Sequence, residues 1–145
     1  MKRPSIVCVT LFLMIVAGIQ ARAQEKKISK KDLPRAVLSA FEQSYPNARI
    51  KGYSTEMEEG KTFYEIESMK DKMSLDVSYL SDGTVAEIEE GIAVGMLPDP
   101  VKASVKANFP RGKISRAEKK TVGDSVTYQL KMTTGRTSTE IESVV

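Results

Sequence analysis

The 145-residue chain has no histidine and no tryptophan, and its single cysteine, Cys8, lies near its start. Without histidine the protein has no imidazole for acid–base catalysis or for metal ligation. Beyond Cys8 there is no thiol to act as a nucleophile, to form a disulfide or to bind an iron–sulfur cluster. These absences exclude most common catalytic side-chain combinations, and we expect no enzymatic activity, no cofactor and no metal.

The charge of the chain does not favour nucleic-acid binding. There are 22 basic and 19 acidic residues, a net charge of +3. Residues 1–23 hold three of the basic residues and no acidic one, so the rest has 19 of each sign and a net charge of zero. Because nucleic-acid-binding domains usually carry a basic excess, we expect no nucleic-acid partner.

Residues 1–23 have the pattern of a secretory signal peptide. Lys2 and Arg3 precede 15 uncharged residues, 5–19, fewer than the roughly 20 that span a bilayer. The segment ends in Ala-Arg-Ala, a small–any–small pattern, and we expect cleavage after Ala23. The sequence therefore predicts a periplasmic or secreted protein that is free of the membrane after cleavage. A short N-terminal membrane anchor is the alternative.

The following residues contain two similar segments offset by 64 positions. Leu33-Pro34 aligns with Leu97-Pro98, and Tyr45-Pro46 aligns with Phe109-Pro110. Between these landmarks apolar residues recur every four positions, which predicts one amphipathic helix in each segment. Asp32 is the expected N-cap of the first helix.

After each helix the apolar period becomes two, which predicts strands joined by hairpin turns. The predicted strands are 48–57, 61–69, 73–80 and 84–90 in the first segment, and 113–122, 125–133 and 136–144 in the second. The predicted fold class is α+β, with two tandem helix-plus-antiparallel-meander repeats forming one sheet and both helices on one face.

The chain then divides into a flexible basic segment, residues 24–31, followed by repeat 1 at 32–92 and repeat 2 at 93–145. The linker 91–97 is apolar, so we expect it to be packed between the repeats and to join them into one compact unit. No counterpart of strand 84–90 follows strand 136–144. That last strand should therefore pair with a partner or be sheltered within the sheet.

These landmarks resemble those of a known family. The pattern is LPxxV followed by YP at Leu33–Pro46, then YLSDGTV at Tyr79–Val85, then LPxxV followed by FP at Leu97–Pro110. With the signal peptide, it resembles the secreted PepSY-like proteins, whose fold is like that of β-lactamase-inhibitor proteins. The resemblance implies tandem repeats, helices on one side of an antiparallel sheet, a periplasmic or surface location and a role in protein binding or inhibition. It implies no catalytic residues.

Four residues are candidates for a binding surface. Tyr53 and Phe63 fall on the opposite parity from the predicted core positions, and exposed aromatic residues are typical of protein interfaces. Glu65 and Glu67 share a strand face about 7 Å apart. Such a carboxylate pair can serve a glycosidase, but this requires a substrate cleft that nothing in the sequence indicates.

Charge separates the two repeats. Residues 33–92 hold 6 basic and 12 acidic residues, a net charge of −6, whereas residues 97–145 hold 9 and 5, a net charge of +4. Such asymmetry can steer a partner toward one end of a molecule. The sequence thus predicts a non-enzymatic periplasmic or secreted module that binds another protein through the open sheet face, with inhibition of that protein as one form of this function. The alternative is a module that binds a small ligand, a peptide or an envelope polymer.

Overall fold

The computed structural model describes residues 13–14 and 25–144, which form two α-helices and nine strands. The helices are α1 (Arg35–Ser44) and α2 (Asp99–Asn108), preceded by 3-10 turns at Lys30–Asp32 and Val94–Met96. The strands are β1 (Leu13–Met14), β2 (Lys26–Ile28), β3 (Arg49–Glu58), β4 (Lys61–Lys70), β5 (Met73–Tyr79), β6 (Val85–Ile92), β7 (Lys113–Val122), β8 (Ser125–Thr134) and β9 (Thr137–Val144).

The described strands form one antiparallel sheet in the order β1-β9-β8-β7-β6-β5-β4-β3-β2. From β2 to β9 every strand lies beside its neighbour in the sequence; short hairpins make most of these connections, whereas α1 connects β2 to β3 and α2 connects β6 to β7. The predicted α+β class with an antiparallel sheet is confirmed. At one edge Leu13 and Met14 pair with Ser143 and Glu142 of β9, but both residues belong to the predicted leader, so cleavage after Ala23 would leave this edge of β9 unpaired by them. The remainder of the predicted signal peptide, with its cleavage site, lies outside the described residues.

The other edge strand, β2, was not predicted. Residues 26–28 belong to the segment expected to be flexible, yet they pair with β3. Ile28 packs against the buried cluster around α1, and Lys27 forms an ion pair with Glu67. One apolar and one charged side-chain contact therefore add to the backbone pairing of β2. The basic composition of residues 24–31 does not indicate either contact.

Helix α1 begins at Arg35, and Asp32 is not its N-cap. Pro34 keeps an extended conformation, and a residue that precedes a proline is disfavoured from the helical region. Asp32 therefore ends the preceding 3-10 turn, where its carboxylate accepts a hydrogen bond of 2.6 Å from the Ser29 hydroxyl. At the other end the helix stops before Pro46, as predicted.

Each helix contributes to one of two buried clusters. The first contains Leu33, Val37 and Phe41 with strand residues Ile66, Leu75, Val77 and Tyr79. The second contains Leu97, Val101 and Val105 with Ala117, Leu130, Met132 and Ile141. The linker prediction was right only in part, because Leu97 is buried but Met96 is 77% exposed. The 3-10 turn Val94–Met96 directs this side chain outward from the core.

The two halves of the chain repeat each other closely in backbone structure. Helix α2 and strands β7 and β8 begin and end 64 residues after α1, β3 and β4. The shift in pairing between Ile50 and Gly52 recurs between Ile114 and Arg116. Strand β6 pairs with β7 in the register in which β2 pairs with β3, since Ile92 faces Ala117 as Ile28 faces Tyr53.

Candidate functional site: an acidic patch on the sheet

Strands β4, β5 and β6 bring five carboxylates together. Residues that pair directly across neighbouring antiparallel strands project to the same face of a sheet. Glu67 pairs with Asp76, and Asp76 pairs with Glu89. In the adjacent row, two more glutamates pair with the two sides of Ser78. We name this group the acidic patch, and its members are Glu65, Glu67, Asp76, Glu87 and Glu89.

The structure places Phe63, Glu65 and Glu67 on the same face of β4, as predicted. They occupy alternate positions, which sets successive members about 7 Å apart along the strand. Phe63 is half-buried and pairs with Glu56 of β3. Three of the four predicted binding residues are thus brought together, and their part in binding stays a prediction.

Tyr53 lies on the other face, and its predicted exposure beside Phe63 is wrong. It pairs with Ile66 and packs against the buried cluster around α1. The prediction assumed strict alternation along β3, but the pairing shifts by one residue between Ile50 and Gly52. A β-bulge of this kind reverses the face on which later residues project.

Two lysines flank the acidic patch, one on each side. The Lys27 ammonium lies 2.7 Å from a carboxylate oxygen of Glu67. The Lys120 ammonium, on β7, lies 2.7 Å from Glu87 and 3.3 Å from Glu89. Within residues 25–142, no ion pair involves Glu65 or Asp76. The centre of the patch is therefore acidic without a matching cation in that part of the chain.

Burial and mutual repulsion change the ionisation of these groups. Burial, followed by the charge of Asp76, raises the pKa of Glu65 to about 7. Burial also raises the pKa of Asp76 and of Glu89, against the opposing effect of Lys120 on Glu89. Burial alone would lower the pKa of Lys120, but its hydrogen bond to Glu87 raises it overall. Near neutral pH Glu65 is therefore partly protonated, whereas an exposed glutamate would be ionised.

A buried hydroxyl lies directly beside Glu65. Ser54 of β3 pairs with Glu65, so both side chains project to the face of the patch. The Ser54 side chain is only 1% exposed, and its Oγ has no hydrogen-bond partner in the described residues. A buried hydroxyl without a partner is costly, and such atoms often mark a place where another molecule supplies the bond.

Gly52 and Gly91 keep the surface of this face low. A Cβ at Gly52 would lie 3.5 Å from the Glu67 carboxylate, and one at Gly91 would lie 2.7 Å from the Ser74 hydroxyl. The second contact is closer than real Cβ atoms allow, so position 91 needs glycine for β6 to lie this close to Ser74. An open pocket of about 300 Å³ lies nearby, lined by residues of β5, β6 and β7 that include Ser74, Gly91 and Arg116.

The sequence predicted only part of this site. The alternation along each strand already placed Asp76 opposite the core positions of β5. What it lacked was the pairing between strands, which sets Ser54, Asp76 and Glu89 beside Glu65 and Glu67. The positions of the hairpin turns in the sequence could have indicated this pairing, because hairpin turns determine the register of the strands that they join.

Neither a metal centre nor a membrane-crossing helix is found in the part of the chain that the structure describes. No group of three or more acidic, histidine or cysteine side chains there is arranged to hold a metal ion. No described helix is both long enough and apolar enough to traverse a bilayer.

A family profile described as "Putative beta-lactamase-inhibitor-like, PepSY-like" matches the chain twice, over residues 19–87 and 70–143. The chain belongs to the PepSY-like family. No curated protein matches this PepSY-like chain by sequence. The family resemblance drawn from the LPxxV, YP and FP landmarks is confirmed.

Solved structures share the fold of this PepSY-like protein. A protein of Bacteroides eggerthii, described as a "putative periplasmic" protein, matches with a TM-score of 0.62 and 14% identity, over 76% of this chain and 80% of that one. A DUF2874 family protein of Bacteroides uniformis matches with a TM-score of 0.59 and 13% identity, over 75% and 78%. A BLIP-like protein of Bacteroides fragilis matches with a TM-score of 0.55 and 17% identity, over 71% and 73%. At these identities the likeness establishes the fold alone.

Proposed function

We propose that this protein is a non-enzymatic periplasmic module that binds another protein through the sheet face bearing the acidic patch. The observation that carries the proposal is the patch itself, five carboxylates on three adjacent strands, with Phe63 beside them. Aromatic residues are enriched at protein interfaces, and a patch of one charge can be complemented by a partner of the opposite charge. The BLIP-like relative of the same fold supports an inhibitor-like mode of action.

We further propose that the chain consists of two tandem units joined into one body. The 64-residue recurrence of helices, strands and bulges supports this division. In this division β2 is the first strand of the first unit and β6 is the first strand of the second. The predicted strand 84–90 therefore belongs to the second unit, and β9 ends the second unit as β5 ends the first. This revises the boundary at residue 92 that the sequence suggested.

The pairing register supports helices on a single face. Ile66, Val77 and Ile88 are paired across β4, β5 and β6, next to the α1 cluster. Ile92, four residues further along β6, continues this face and pairs with Ala117, which packs with α2. The acidic patch, on the opposite parity, is then left uncovered by either helix.

Cleavage after Ala23 and export complete the proposal. They rest on the signal-peptide pattern of residues 1–23, and the fold shared with the protein described as periplasmic supports them. Mass measurement of the protein from the periplasmic fraction is the test. An N-terminus at Gln24 is expected, and an intact leader would contradict the proposal.

Affinity capture from periplasmic extract tests the binding proposal. The mature protein serves as bait beside two variants, Phe63→Thr with Glu67→Lys on the acidic-patch face and Lys106→Glu on α2. Position 106 is exposed and lies outside that face. We expect the same protein to be retained by the wild type and by Lys106→Glu, and lost from the double variant. Retention by all three baits, or by none, would contradict binding through this face.

One observation favours the alternative function, a small-ligand or peptide binder. The pocket at Ser74, Gly91 and Arg116 has a volume of about 300 Å³, at the small end of the range for ligand sites. A ligand at 100 times its Kd would stabilise the fold by about 2.7 kcal/mol. A thermal-shift screen that finds such a compound, and loses its effect in Ala93→Leu, which enlarges an exposed side chain of the pocket lining, would favour this function over protein binding.

A further inference from the structure

We propose that the centre of the acidic patch is a docking site for an arginine side chain presented by the protein partner. This inference rests on the proposed protein binding and names the chemical group that the partner must present. It takes as its site the three neighbours Ser54, Glu65 and Asp76, with Phe63 at one side.

Positive charge is distributed unevenly across the acidic patch. Lys27 and Lys120 neutralise the outer members of the patch, whereas Glu65 and Asp76 form no ion pair within residues 25–142. A cation brought by another molecule would therefore meet two carboxyl groups that no described lysine or arginine of this chain occupies. Charge complementarity of this kind selects a basic partner over an acidic or neutral one.

The Ser54 hydroxyl supports the same site independently of charge. Ser54 Oγ is buried without a partner on the same face as Glu65, its direct neighbour across β3 and β4. The hydroxyl can accept one hydrogen bond from an incoming N–H group. A ligand with several N–H donors would satisfy this atom and the two carboxylates at once.

The spacing of the carboxylates favours a flat guanidinium over a compact cation. Glu65 and Asp76 lie on adjacent strands as diagonal neighbours, roughly 7 Å apart, and no group of carboxylates among the described residues is arranged around a metal ion. A guanidinium has five N–H donors in a flat fork and can bond groups on two strands, whereas an ammonium is a compact point charge. Phe63, on the same face of β4, offers an aromatic surface against which a guanidinium can stack.

Ionisation sets the conditions for binding. The charged and titratable groups around Glu65 are Glu25 and Lys27 from the β2 edge, Glu56 from β3, Glu67 from β4, Asp76 from β5, and Glu87 and Glu89 from β6. Because Glu65 keeps its proton up to about pH 7, an arginine ligand should bind more tightly at higher pH, where the carboxyl is ionised.

Nuclear magnetic resonance titration of the mature protein is the test. The probes are Nα-acetyl-arginine amide and the matching citrulline compound, which has nearly the same shape and no charge. We expect saturable shifts at β3, β4 and β5 with arginine, about tenfold weaker binding of citrulline, and weaker binding at about pH 6 than at about pH 8. Glu65→Gln with Asp76→Asn should weaken arginine binding about tenfold, and the control Glu140→Gln, at the position 64 residues after Asp76, should change it less than about twofold.

Three results would overturn the arginine site. The first is equal binding of the arginine and citrulline compounds. The second is no saturable shift with either compound, which would leave only water to bond Ser54. The third is a shift of the same residues by Ca²⁺ at a lower concentration than by the arginine compound. Capture from extract separates this inference from the proposed function. If the wild type and Glu65→Gln with Asp76→Asn retain a partner equally, the arginine site is refuted and protein binding stands. Loss of the partner from Phe63→Thr with Glu67→Lys tests only whether binding uses the acidic-patch face.

Discussion

Strands β4 and β8 have the same length and pair in the same register with the strands before them, yet the side chains on the acidic-patch face differ in charge. The positions that correspond at an offset of 64 are Phe63 and Thr127, Glu65 and Gln129, and Glu67 and Lys131. The same positions are buried in both strands, with Ile66 matched by Leu130 and Ser68 by Met132. The backbone therefore follows the buried pattern, and the opposite face is free to differ between the halves.

The comparison can be tested first in the core, where the largest effects are expected. Phe41 and its counterpart Val105 are both buried against the sheet by their helices. Phe41→Ala should lower the free energy of unfolding by about 3–5 kcal/mol, and Val105→Ala by less, because a smaller volume is removed. Urea unfolding followed by circular dichroism should show a single transition in both variants if the halves fold together. Loss of only half the signal in one step would instead show two independent units.

A second prediction concerns the ion pairs that join β7 to β6. Lys120 of β7 bonds Glu87 and Glu89 of β6, and all three side chains are about 70% buried. Lys120→Met should reduce stability by about 1–2 kcal/mol, because two partly buried carboxylates lose their counter-ion. The control is Lys27→Met, which removes a more exposed pair at the β2 edge and should have the smaller effect. A larger loss for Lys27→Met would contradict the view that Lys120 neutralises the patch.

A third change makes the first half resemble the second, since Glu65→Gln introduces the residue found at the matching position 129. Burial raises the pKa of Glu65 in the folded protein to about 7, from an ordinary value of 4.5. The folded state therefore binds more protons between these values, and stability falls as pH rises through this window. Glu65→Gln should remove this loss and stabilise the protein by about 1 kcal/mol at about pH 8, with little effect at about pH 4. Melting curves across pH test this, and a pH-independent difference would contradict the assigned pKa.

The smallest effect is expected at Glu140, the counterpart of Asp76. Glu140 is exposed on β9, whereas Asp76 is half-buried and accepts a hydrogen bond of 3.1 Å from the Ser68 amide. Glu140→Gln should change stability by less than about 0.5 kcal/mol. Thermal unfolding of this variant beside the wild type provides the measurement. A larger change would mean that Glu140 makes a stabilising contact in spite of its exposure.

The sequence by itself determined the number, type and order of helices and strands from Leu33 onward, to within about two residues at their ends. It could do so because periods of about four and two residues reflect which side of an element is buried, and because Pro46 and Pro110 stop the helices. These are local constraints that a short stretch of chain expresses without reference to distant residues.

Only the tertiary structure decided the face of Tyr53, the role of β2 and the composition of the acidic patch. The bulge between Ile50 and Gly52 changes the pairing of β3 without a signal in the alternation, and it turns Tyr53 toward the core. The patch depends on which strands lie side by side and in which register, a property of the assembled sheet. Neighbours such as Ser54, Glu65 and Asp76 are far apart along the chain and meet only because long-range pairing brings their strands together.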